Sequence, residues 1–418
     1  MRIGLFADTY PPQINGVSTS VQMLKQALER EGHIVYVITS NNESAFKYKY
    51  DEKERVLRVP GIKTGLYDYR LSRIYPVHLR KFIKSWKLEV IHSHHEFSIG
   101  IMARLLAKEL NIPLVHTLHT MYEDNLEIMT KGHFEKTSKK ILEEFTNLFC
   151  DKTCNELIVP TVKVYTLLKD KYGFTRNIHV IPSGIEIERF YQENLDKKVI
   201  EQIKKENGIK KSDRVLIYLG RIGPEKSIDF LIKAMPKLIK KDKNIKLLIV
   251  GPGPEEDNLK KLAKDLDLEK DVIFTGGVHW EDVPYYYACG EILVTASTYE
   301  TQGLTMVEGM ATSLAPVCIN DPALTSCVTD KIDGLVFNDE EEYIDEIMAL
   351  IKDKKLLEEI QTNARRRAED YSSKAYASKV IEVYKEAMES KKKKDNKNIV
   401  NRIVNKIKGG SNDSSVEQ

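Results

Sequence analysis

Two hydrophobic patterns alternate along this chain: short runs of apolar, mostly β-branched residues, and longer segments in which apolar residues recur every three or four positions. The first pattern indicates β-strands and the second amphipathic helices. Because the short runs are almost wholly apolar, we expect parallel strands that helices cover on both faces. The predicted strands are 2–7, 34–39, 56–59, 89–92, 114–118, 157–159, 178–181, 215–219, 246–250, 272–275, 292–295 and 317–319.

The predicted strands form two groups, separated by a turn-forming and then polar segment, 182–213. The strand–helix alternation in each group predicts an α/β protein with two doubly wound, Rossmann-like domains and a tail. In such domains ligands bind beyond the carboxyl ends of the strands, so we expect a site in a cleft that both domains face. The predicted boundaries are 1–185 for the first domain, 186–390 for the second and 391–418 for the tail.

The formal net charge of +2 over 418 residues hides an uneven distribution. Residues 1–185 carry 26 basic and 20 acidic side chains, residues 186–390 carry 30 and 39, and residues 391–418 carry 8 and 3. The three parts therefore have net charges of +6, −9 and +5. A basic first domain and tail indicate contact with an anionic surface or with a nucleic acid.

Cysteine usage and hydropathy indicate a cytoplasmic protein. The five cysteines are an odd number scattered over a long chain, which is typical of a reducing compartment. The N-terminal residues lack the apolar stretch of a secretory signal, and no apolar run approaches the ~18 residues of a membrane span. Cys150 and Cys154 have no histidine or cysteine partners at zinc-finger spacing, so we expect buried thiols and no metal site.

The loop after the strand 215–219 carries two cations, Arg221 and Lys226, just before a predicted helix. Two cations between a strand end and a helix start can hold a diphosphate without a metal. The alternative is a pair of solvated surface cations, which is common for these residue types. Their position at a carboxyl strand end favours the diphosphate.

Glycines follow two further strands. Gly16 stands between the first strand and a helix, and Gly251 follows the strand 246–250. A glycine at such a place lets a phosphate approach the backbone amides at the positive end of a helix. A plain tight turn explains each glycine equally well. The G-x-G-x-x-G pattern of nicotinamide and flavin sites is absent from the first loop.

Residues 300–311 carry the strongest local motif. Gly303 frees the backbone at a predicted helix start, so that its amide and those of Leu304 and Thr305 can point at a phosphate. Glu308 can accept hydrogen bonds from the vicinal hydroxyls of a ribose, and Glu300 can do so for sugar hydroxyls. The alternative is an acidic helix cap and an exposed helix face.

Histidines cluster after two strands of the first domain. The spacing of His92, His94, His95, His116 and His119 matches no metal site, and some of these side chains are expected to be structural. We expect His119, at the carboxyl end of the strand 114–118, to reach the cleft. There its ring could hydrogen-bond a sugar hydroxyl or a phosphate.

These motifs together resemble the family 4 retaining glycosyltransferases, which have the GT-B architecture. The resemblance covers about residues 1–390 and departs from the family at 313–316, where Ser-Leu-Ala-Pro stands for the usual Gly-Leu-Pro. The motifs that carry it are Gly16, the segments 116–119, 220–226, 250–253 and 333–337, and the pair Glu300 and Glu308.

The resemblance implies a nucleotide-sugar donor on the second domain, an acceptor on the first and a last helix that crosses back to the first domain. Transfer would proceed with retention, without a cofactor or a required metal, and without a protein base, because the leaving phosphate takes the proton. The implied catalytic residues are His119, near the sugar 6-hydroxyl, and Glu300. The implied donor-binding residues are Gly16, Arg221, Lys226, Gly251, Gly303, Leu304, Thr305 and Glu308.

Within the family, the segments 6–16 and 300–305 are most similar to bacterial diacylglycerol glucosyltransferases, which make α-glucosyl diacylglycerol from UDP-glucose. The alternatives are another lipid acceptor, such as phosphatidylinositol or a glycolipid, a soluble sugar acceptor, or sugar-nucleotide epimerisation. A nucleic-acid partner is disfavoured because no aromatic residues are interleaved with the cations as a stacking platform. The oligomeric state stays open.

A basic amphipathic segment fits a lipid acceptor. Leu79, Phe82, Ile83 and Trp86 share one helical face, with cations beside it. Such a helix can lie on an anionic membrane, whose lipids we expect to activate the enzyme, at the inner face of the cell membrane. The alternative is a core-facing helix with a solvated basic side; the basic tail has the same two interpretations. The predicted membrane-binding residues are Arg70, Arg73, Arg80, Lys81, Lys84 and Trp86.

Overall fold

The computed structural model describes residues 1–13, 15–41, 44–63, 70–72, 77–119, 140, 143–298, 300 and 302–409. For residues 63, 70, 71, 77, 78 and 394–409 it describes the backbone alone. The chain divides into two compact units. The first unit comprises Met1–Pro160, Val164–Ile181 and Ala377–Gln418, and the second unit comprises Thr161–Lys163 and Pro182–Tyr376.

The first unit contains a sheet of nine described strands in the order β3-β4-β2-β1-β6-β7-β8-β9, with β5 paired to β4. Its pairs are parallel except for β3 and β5, which run antiparallel to β4. Since β1 lies between β2 and β6, the strand order reverses direction at β1, and the carboxyl ends of β1 and β6 form a switch point. The strands are β1 Arg2–Phe6, β2 Ile34–Asn41, β3 Lys49–Asp51, β4 Val56–Lys63, β5 Arg70–Ser72, β6 Val90–Ser93, β7 Leu114–Thr117, β8 Glu156–Val159 and β9 Ile178–Val180.

The second unit contains a wholly parallel six-stranded sheet in the order β12-β11-β10-β13-β14-β15. Here β10 lies between β11 and β13, so the carboxyl ends of β10 and β13 form the switch point. Successive residues of β10 face opposite cores: Leu216 packs on one side and Ile217 on the other. The strands are β10 Arg214–Leu219, β11 Ile245–Val250, β12 Val272–Gly276, β13 Ile292–Thr295, β14 Ala315–Ile319 and β15 Leu335–Phe337.

The described helices follow the strands in the order expected of βα units. They are α1 Gly16–Arg30, α2 Val77–Ser85, α3 Ser98–Leu110, α4 Val162–Thr166, α5 Lys197–Glu206, α6 Ile228–Lys241, α7 Glu256–Asp265, α8 Val283–Tyr287, α9 Leu304–Ala311, α10 Glu340–Lys352, α11 Lys354–Ala368 and α12 Ser373–Gly409. The prediction of two doubly wound, parallel-sheet units is therefore confirmed. The predicted boundaries at 185 and 390 stay predictions. Residues 391–409 continue α12, and 410–418 lie outside the described residues.

The prediction that the apolar side of α2 faces a membrane is wrong, because most of that side packs into the first unit. Leu79, Ile83 and Trp86 are buried, and the Trp86 ring, only 5% exposed, stacks on Tyr36 with centroids 4.5 Å apart. Aromatic stacking in a core fixes the ring and removes it from solvent. Trp86 therefore cannot serve as a membrane anchor.

The predicted membrane cations have different surroundings. Arg80 forms an ion pair with Glu109, while Lys81 and Lys84 are exposed. Arg73 and the side chain of Arg70 lie outside the described residues. Lys81 and Lys84 thus remain candidates for contact with an anionic surface. Within the described residues, no helix is both long enough and apolar enough to span a bilayer.

All five cysteines are buried free thiols, as the sequence predicts.

Candidate functional site

The carboxyl ends of β10 and β13 bring together two of the predicted residues of the second unit. Lys226 ends the turn that follows β10, and Glu300 lies in the loop after β13. Lys226 Nζ donates a hydrogen bond to Glu300 Oε1 at 2.6 Å, and each side chain keeps 18% of its surface exposed. Each charge thus has its counter-ion while an outer surface stays open to a ligand.

Arg221 lies at the same edge but is more exposed to solvent. Its guanidinium pairs with Glu225, four residues on, and 62% of the side chain is exposed. A pair at this exposure contributes little to stability. The guanidinium can therefore exchange Glu225 for a more strongly charged ligand at small cost.

Gly303 ends the loop after β13 in a left-handed conformation, with φ of 66°, and immediately precedes α9. Glycine adopts this conformation without the strain that a Cβ introduces. Leu304 and Thr305 are the first two residues of α9, so their amides belong to the helix start, whose partial positive charge attracts anions.

Glu308 lies one turn into α9 and is almost fully buried. Burial raises the pKa of its carboxyl to about 7, while the hydrogen bond from Tyr287 and the charge of Arg189 act in the opposite direction. The Tyr287 hydroxyl donates to Glu308 Oε2 at 3.0 Å. Glu308 is therefore a constrained carboxyl that titrates close to neutral pH.

The two remaining predicted glycines, Gly251 and Gly16, differ in whether the backbone could accept another residue. A Cβ on Gly251, whose φ is 134°, would lie 2.0 Å from the Gly220 carbonyl oxygen, so the loops after β10 and β11 pack too closely for any side chain. Gly16 is the first residue of α1, where a Cβ would meet nothing within 4 Å. The backbone therefore demands glycine at Gly251 and merely accepts it at Gly16.

The first unit presents a row of polar side chains along the carboxyl ends of β1, β6 and β7. His95 Nδ1 accepts a hydrogen bond from the Asp8 amide at 3.1 Å. His94 Nδ1 and His119 Nε2 lie 3.0 Å apart, so one nitrogen donates to the other. Asp8 Oδ2 and His94 Nε2 are buried and contact no polar partner among the described residues.

Burial disfavours the charged forms of several side chains in this row. It lowers the pKa of His119 to about 3, lowers the pKa values of His92, His94 and His116, and raises the pKa of the Asp8 carboxyl. Neutral imidazoles exchange hydrogen bonds with hydroxyl groups and attract diphosphates far less than cations do. His119, at the end of the row, keeps part of its surface exposed.

Two of the histidines are structural. His92 Nδ1 and Nε2 contact the hydroxyls of Tyr384 and Thr117, each at 2.7 Å. His116 Nδ1 donates to the Ser93 carbonyl at 2.9 Å, and its Nε2 contacts Glu96 Oε1 at 3.0 Å. Both rings use both nitrogens, which leaves none for a substrate.

Among the described residues, two groups of ligand-type atoms lie close enough to hold a metal ion. Glu96, His116 and Cys150 form a buried group, and Glu156, His179 and Glu386 form a more exposed one. The direct contacts of His116 with Glu96 and of His179 with Glu156, at 3.1 Å, already satisfy these rings with protein partners.

Sequence reasoning missed Tyr287 and Gln302. The Gln302 side chain exchanges two hydrogen bonds with the backbone of Ser183, at 3.1 and 2.9 Å, and so fixes the loop that carries Glu300. Both residues act through contacts distant in sequence, for which no local pattern exists. For Tyr287, the one available indication in the sequence was that the tyrosines 285–287 lie between apolar residues.

Two family models match the chain: "Glycosyltransferase Family 4" over residues 14–189 and "Glycosyl transferases group 1" over residues 199–367. Among curated proteins, alpha-monoglucosyldiacylglycerol synthase of Acholeplasma laidlawii is 34% identical over 406 residues, covering 95% of this chain and 100% of the relative. The synthase of the same name from Streptococcus pneumoniae is 33% identical over 81% of this chain and 75% of its own length.

The chain is therefore a glycosyltransferase and belongs to glycosyltransferase family 4. Among solved structures, Anabaena HepE in complex with UDP aligns with a TM-score of 0.67 over 92% of this chain and 100% of that one. The identity is 17%, so this likeness supports the fold alone, that of the GT-B glycosyltransferases.

Proposed function

We propose that this protein transfers glucose from UDP-glucose to diacylglycerol, with retention of configuration, to form α-glucosyl diacylglycerol. The observation that carries the proposal is the donor edge of the second unit, where Lys226 pairs with Glu300 and Glu308 lies one turn into α9. The chain also aligns over its near-whole length with a relative named alpha-monoglucosyldiacylglycerol synthase. The first fact supports the donor and the second the acceptor.

The donor roles follow from the charges at this edge. Lys226 and Arg221 bind the diphosphate, together with the amides of Gly251, Gly303, Leu304 and Thr305. The Gly16 amide, at the start of α1, is a further candidate for a phosphate contact. Glu308 accepts hydrogen bonds from the ribose hydroxyls, and Glu300 does so from the glucose. Lys226 and Glu300 pair with each other at 2.6 Å. When the donor binds, the phosphate can replace Glu300 as the partner of Lys226, and the sugar hydroxyls can replace Lys226 as the partners of Glu300. Neither charge is then left without a partner.

The reaction needs no base from the protein. The bond between glucose C1 and the phosphate oxygen breaks, a bond from C1 to the acceptor oxygen forms on the same face, and the hydroxyl proton moves to the departing phosphate of UDP. His119, neutral at physiological pH, hydrogen-bonds the sugar near its 6-hydroxyl. The cations at the donor edge stabilise the negative charge of UDP as it develops, without a metal.

We further propose that the first unit holds the acceptor and meets an anionic membrane from the cytoplasmic side. The exposed Lys81 and Lys84 on α2 and the basic residues of α12 support this orientation. Each cation near an anionic surface contributes about 1 kcal/mol. Phosphatidylglycerol or a similar lipid would act as an activator by concentrating the enzyme at its acceptor.

The test incubates the protein with UDP-glucose and diacylglycerol in phosphatidylglycerol vesicles and measures UDP release and the anomer of the lipid product. We expect an α-glucosyl lipid, formed equally with EDTA. Matched reactions use UDP-galactose or GDP-mannose, phosphatidylinositol, a soluble sugar acceptor, or no acceptor. Turnover of the donor without acceptor would indicate an epimerase, and full activity on a soluble acceptor without vesicle binding would overturn the lipid assignment.

A further inference from the structure

A tyrosine hydroxyl connects the first turn of α9 with the buried carboxyl one turn into that helix. Tyr287 ends α8, and its side chain is fully buried against α9. Its hydroxyl lies 3.1 Å from the Thr305 carbonyl oxygen and 3.0 Å from Glu308 Oε2. One group therefore reaches both the first turn of α9 and the buried carboxylate.

We infer that Tyr287 is a positioning residue for the nucleotide: its hydroxyl holds the Glu308 carboxylate so that Oε1 is presented to the hydroxyls of a ribose. This inference rests on the proposed donor role of Glu308. Oε2 is occupied by the tyrosine, which is the hydrogen-bond partner of this carboxylate among the described residues.

The geometry also explains why a hydroxyl is needed there. A buried carboxylate is strongly destabilised unless donors compensate for the lost water. The hydroxyl has one proton and two acceptors, Thr305 O and Glu308 Oε2. When Glu308 is ionised, the stronger bond is the one to the carboxylate. Tyr287 thus favours the ionised form, which accepts hydrogen bonds from a diol.

Few other charged groups act on this carboxylate. The Arg189 guanidinium, from the turn Ile187–Phe190, lowers the pKa of Glu308, and Glu186 and Glu281 lie around that arginine. The pKa of the Tyr287 hydroxyl is raised by burial and by Glu308, so it stays protonated. Tyr287 and Arg189 are therefore the two groups that support the ionised carboxylate.

The test compares Tyr287→Phe with the wild type, using UDP-glucose binding by calorimetry from about pH 6 to about pH 9. UDP-glucose suits this range because its phosphates keep a constant charge. We expect the affinity of the variant at pH 7 to fall by about tenfold to a hundredfold, the size of a hydrogen bond to a charged group. The pH midpoint of binding, near 7 in the wild type, should move to higher pH, because removing the hydroxyl raises the pKa of Glu308 further.

A matched control and a double variant separate positioning from packing. Tyr286→Phe removes a hydroxyl from the same helix that makes no hydrogen bond to a described residue, and should leave binding unchanged. If Tyr287 acts through Glu308, Tyr287→Phe should have little further effect in a Glu308→Gln background. The wild type should also prefer UDP-glucose over its 2′-deoxyribose analogue, and Tyr287→Phe should reduce that preference.

An unshifted pH midpoint, or equal losses in the wild-type and Glu308→Gln backgrounds, would overturn the inference and leave Tyr287 a packing residue. Wild-type protein that binds no UDP-glucose at all would instead overturn the proposed function. Binding is measured without acceptor, so the lipid assignment does not enter the result.

Discussion

The carboxyl edges of the two sheets have the same topology and opposite chemistry. In the second unit the edge carries the ion pair of Lys226 and Glu300 and, one turn into α9, the titratable carboxyl of Glu308. In the first unit the corresponding edge carries histidines that burial keeps neutral. Charges suit a diphosphate and a ribose, while neutral rings suit the hydroxyls of an uncharged acceptor and of the sugar. The same fold thus provides two different binding environments.

The net charges of the two parts would place the phosphate-binding cations in the first unit and not in the second. Residues 186–390, with a net charge of −9, carry the cations proposed for the phosphates, whereas residues 1–185, with +6, carry the neutral row. Phosphate binding depends on a few cations at a strand end, and the sum over a domain reports on long-range attraction to large surfaces. Local cations therefore determine phosphate binding, and the net charge of the domain determines its long-range attraction to large surfaces.

The contrast between the charged edge of the second unit and the neutral edge of the first is tested most strongly at Lys226, where we expect the largest loss of activity. Lys226→Ala removes the cation nearest the proposed diphosphate and leaves Glu300 unpaired at the site. We expect kcat/KM for UDP-glucose to fall by about a hundredfold or more. Lys233→Ala, on α6 and paired only with the exposed Asp229, is the matched control and should behave as the wild type. Equal activity of the two variants would remove Lys226 from the donor site.

A smaller effect is expected at His119. His119→Ala should lower kcat about tenfold to a hundredfold through a lost hydrogen bond to the sugar. Because its pKa is lowered to about 3, the ring stays neutral at working pH, so the acidic limb of the pH–rate profile should be unchanged in the variant. We expect that limb near pH 7, from Glu308, because the ionised form proposed to bind the donor is lost as pH falls.

The control for this variant is His179→Asn, which lies away from the row and should keep the wild-type rate. An acidic limb that disappears in His119→Ala would show that this ring titrates during turnover. The neutral character of the first-unit edge would then be wrong.

The smallest effect on the donor reaction is expected on α2. Lys81→Gln combined with Lys84→Gln should weaken binding to phosphatidylglycerol vesicles by about thirtyfold, from roughly 1 kcal/mol per cation, and leave UDP-glucose affinity unchanged. The matched control neutralises Lys237 and Lys241 on α6, which pair with Glu340 and Asp345. Similar losses in both double variants, measured by vesicle sedimentation, would mean that the first unit has no special relation to the membrane.

The strands could be predicted well because fully covered parallel strands have continuous apolar sequences. Every predicted run appears as a strand, within one to four residues of its ends. The missed strands are short: β3 and β5 run antiparallel at the margin of the first sheet, and β15 has three residues. The sequences of β3 and β5 are mostly polar, and β15, although apolar, is too short to stand out.

The face of α2 was misassigned because an amphipathic helix has the same pattern on a core as on a membrane. Contacts between residues distant in sequence distinguish the two, such as the stacking of Trp86 on Tyr36, which lies 50 positions earlier. Glu300, Gly303 and Glu308 could be found because they share one loop and helix. Tyr287 could not, since its role depends on α8 packing beside α9.

The two tryptophans have a spectroscopic consequence. They are the only two in the chain, and each unit contains one: Trp86 is 5% exposed in the first, and Trp280 is 49% exposed in the second, with the Arg189 guanidinium 4.0 Å from its ring centre. Since Arg189 also acts on Glu308, the emission of Trp280 would respond to a nucleotide at the donor edge. With Trp86→Phe, the fluorescence of Trp280 would report ligand binding in the second unit. With Trp280→Phe, the fluorescence of Trp86 would report unfolding of the first unit.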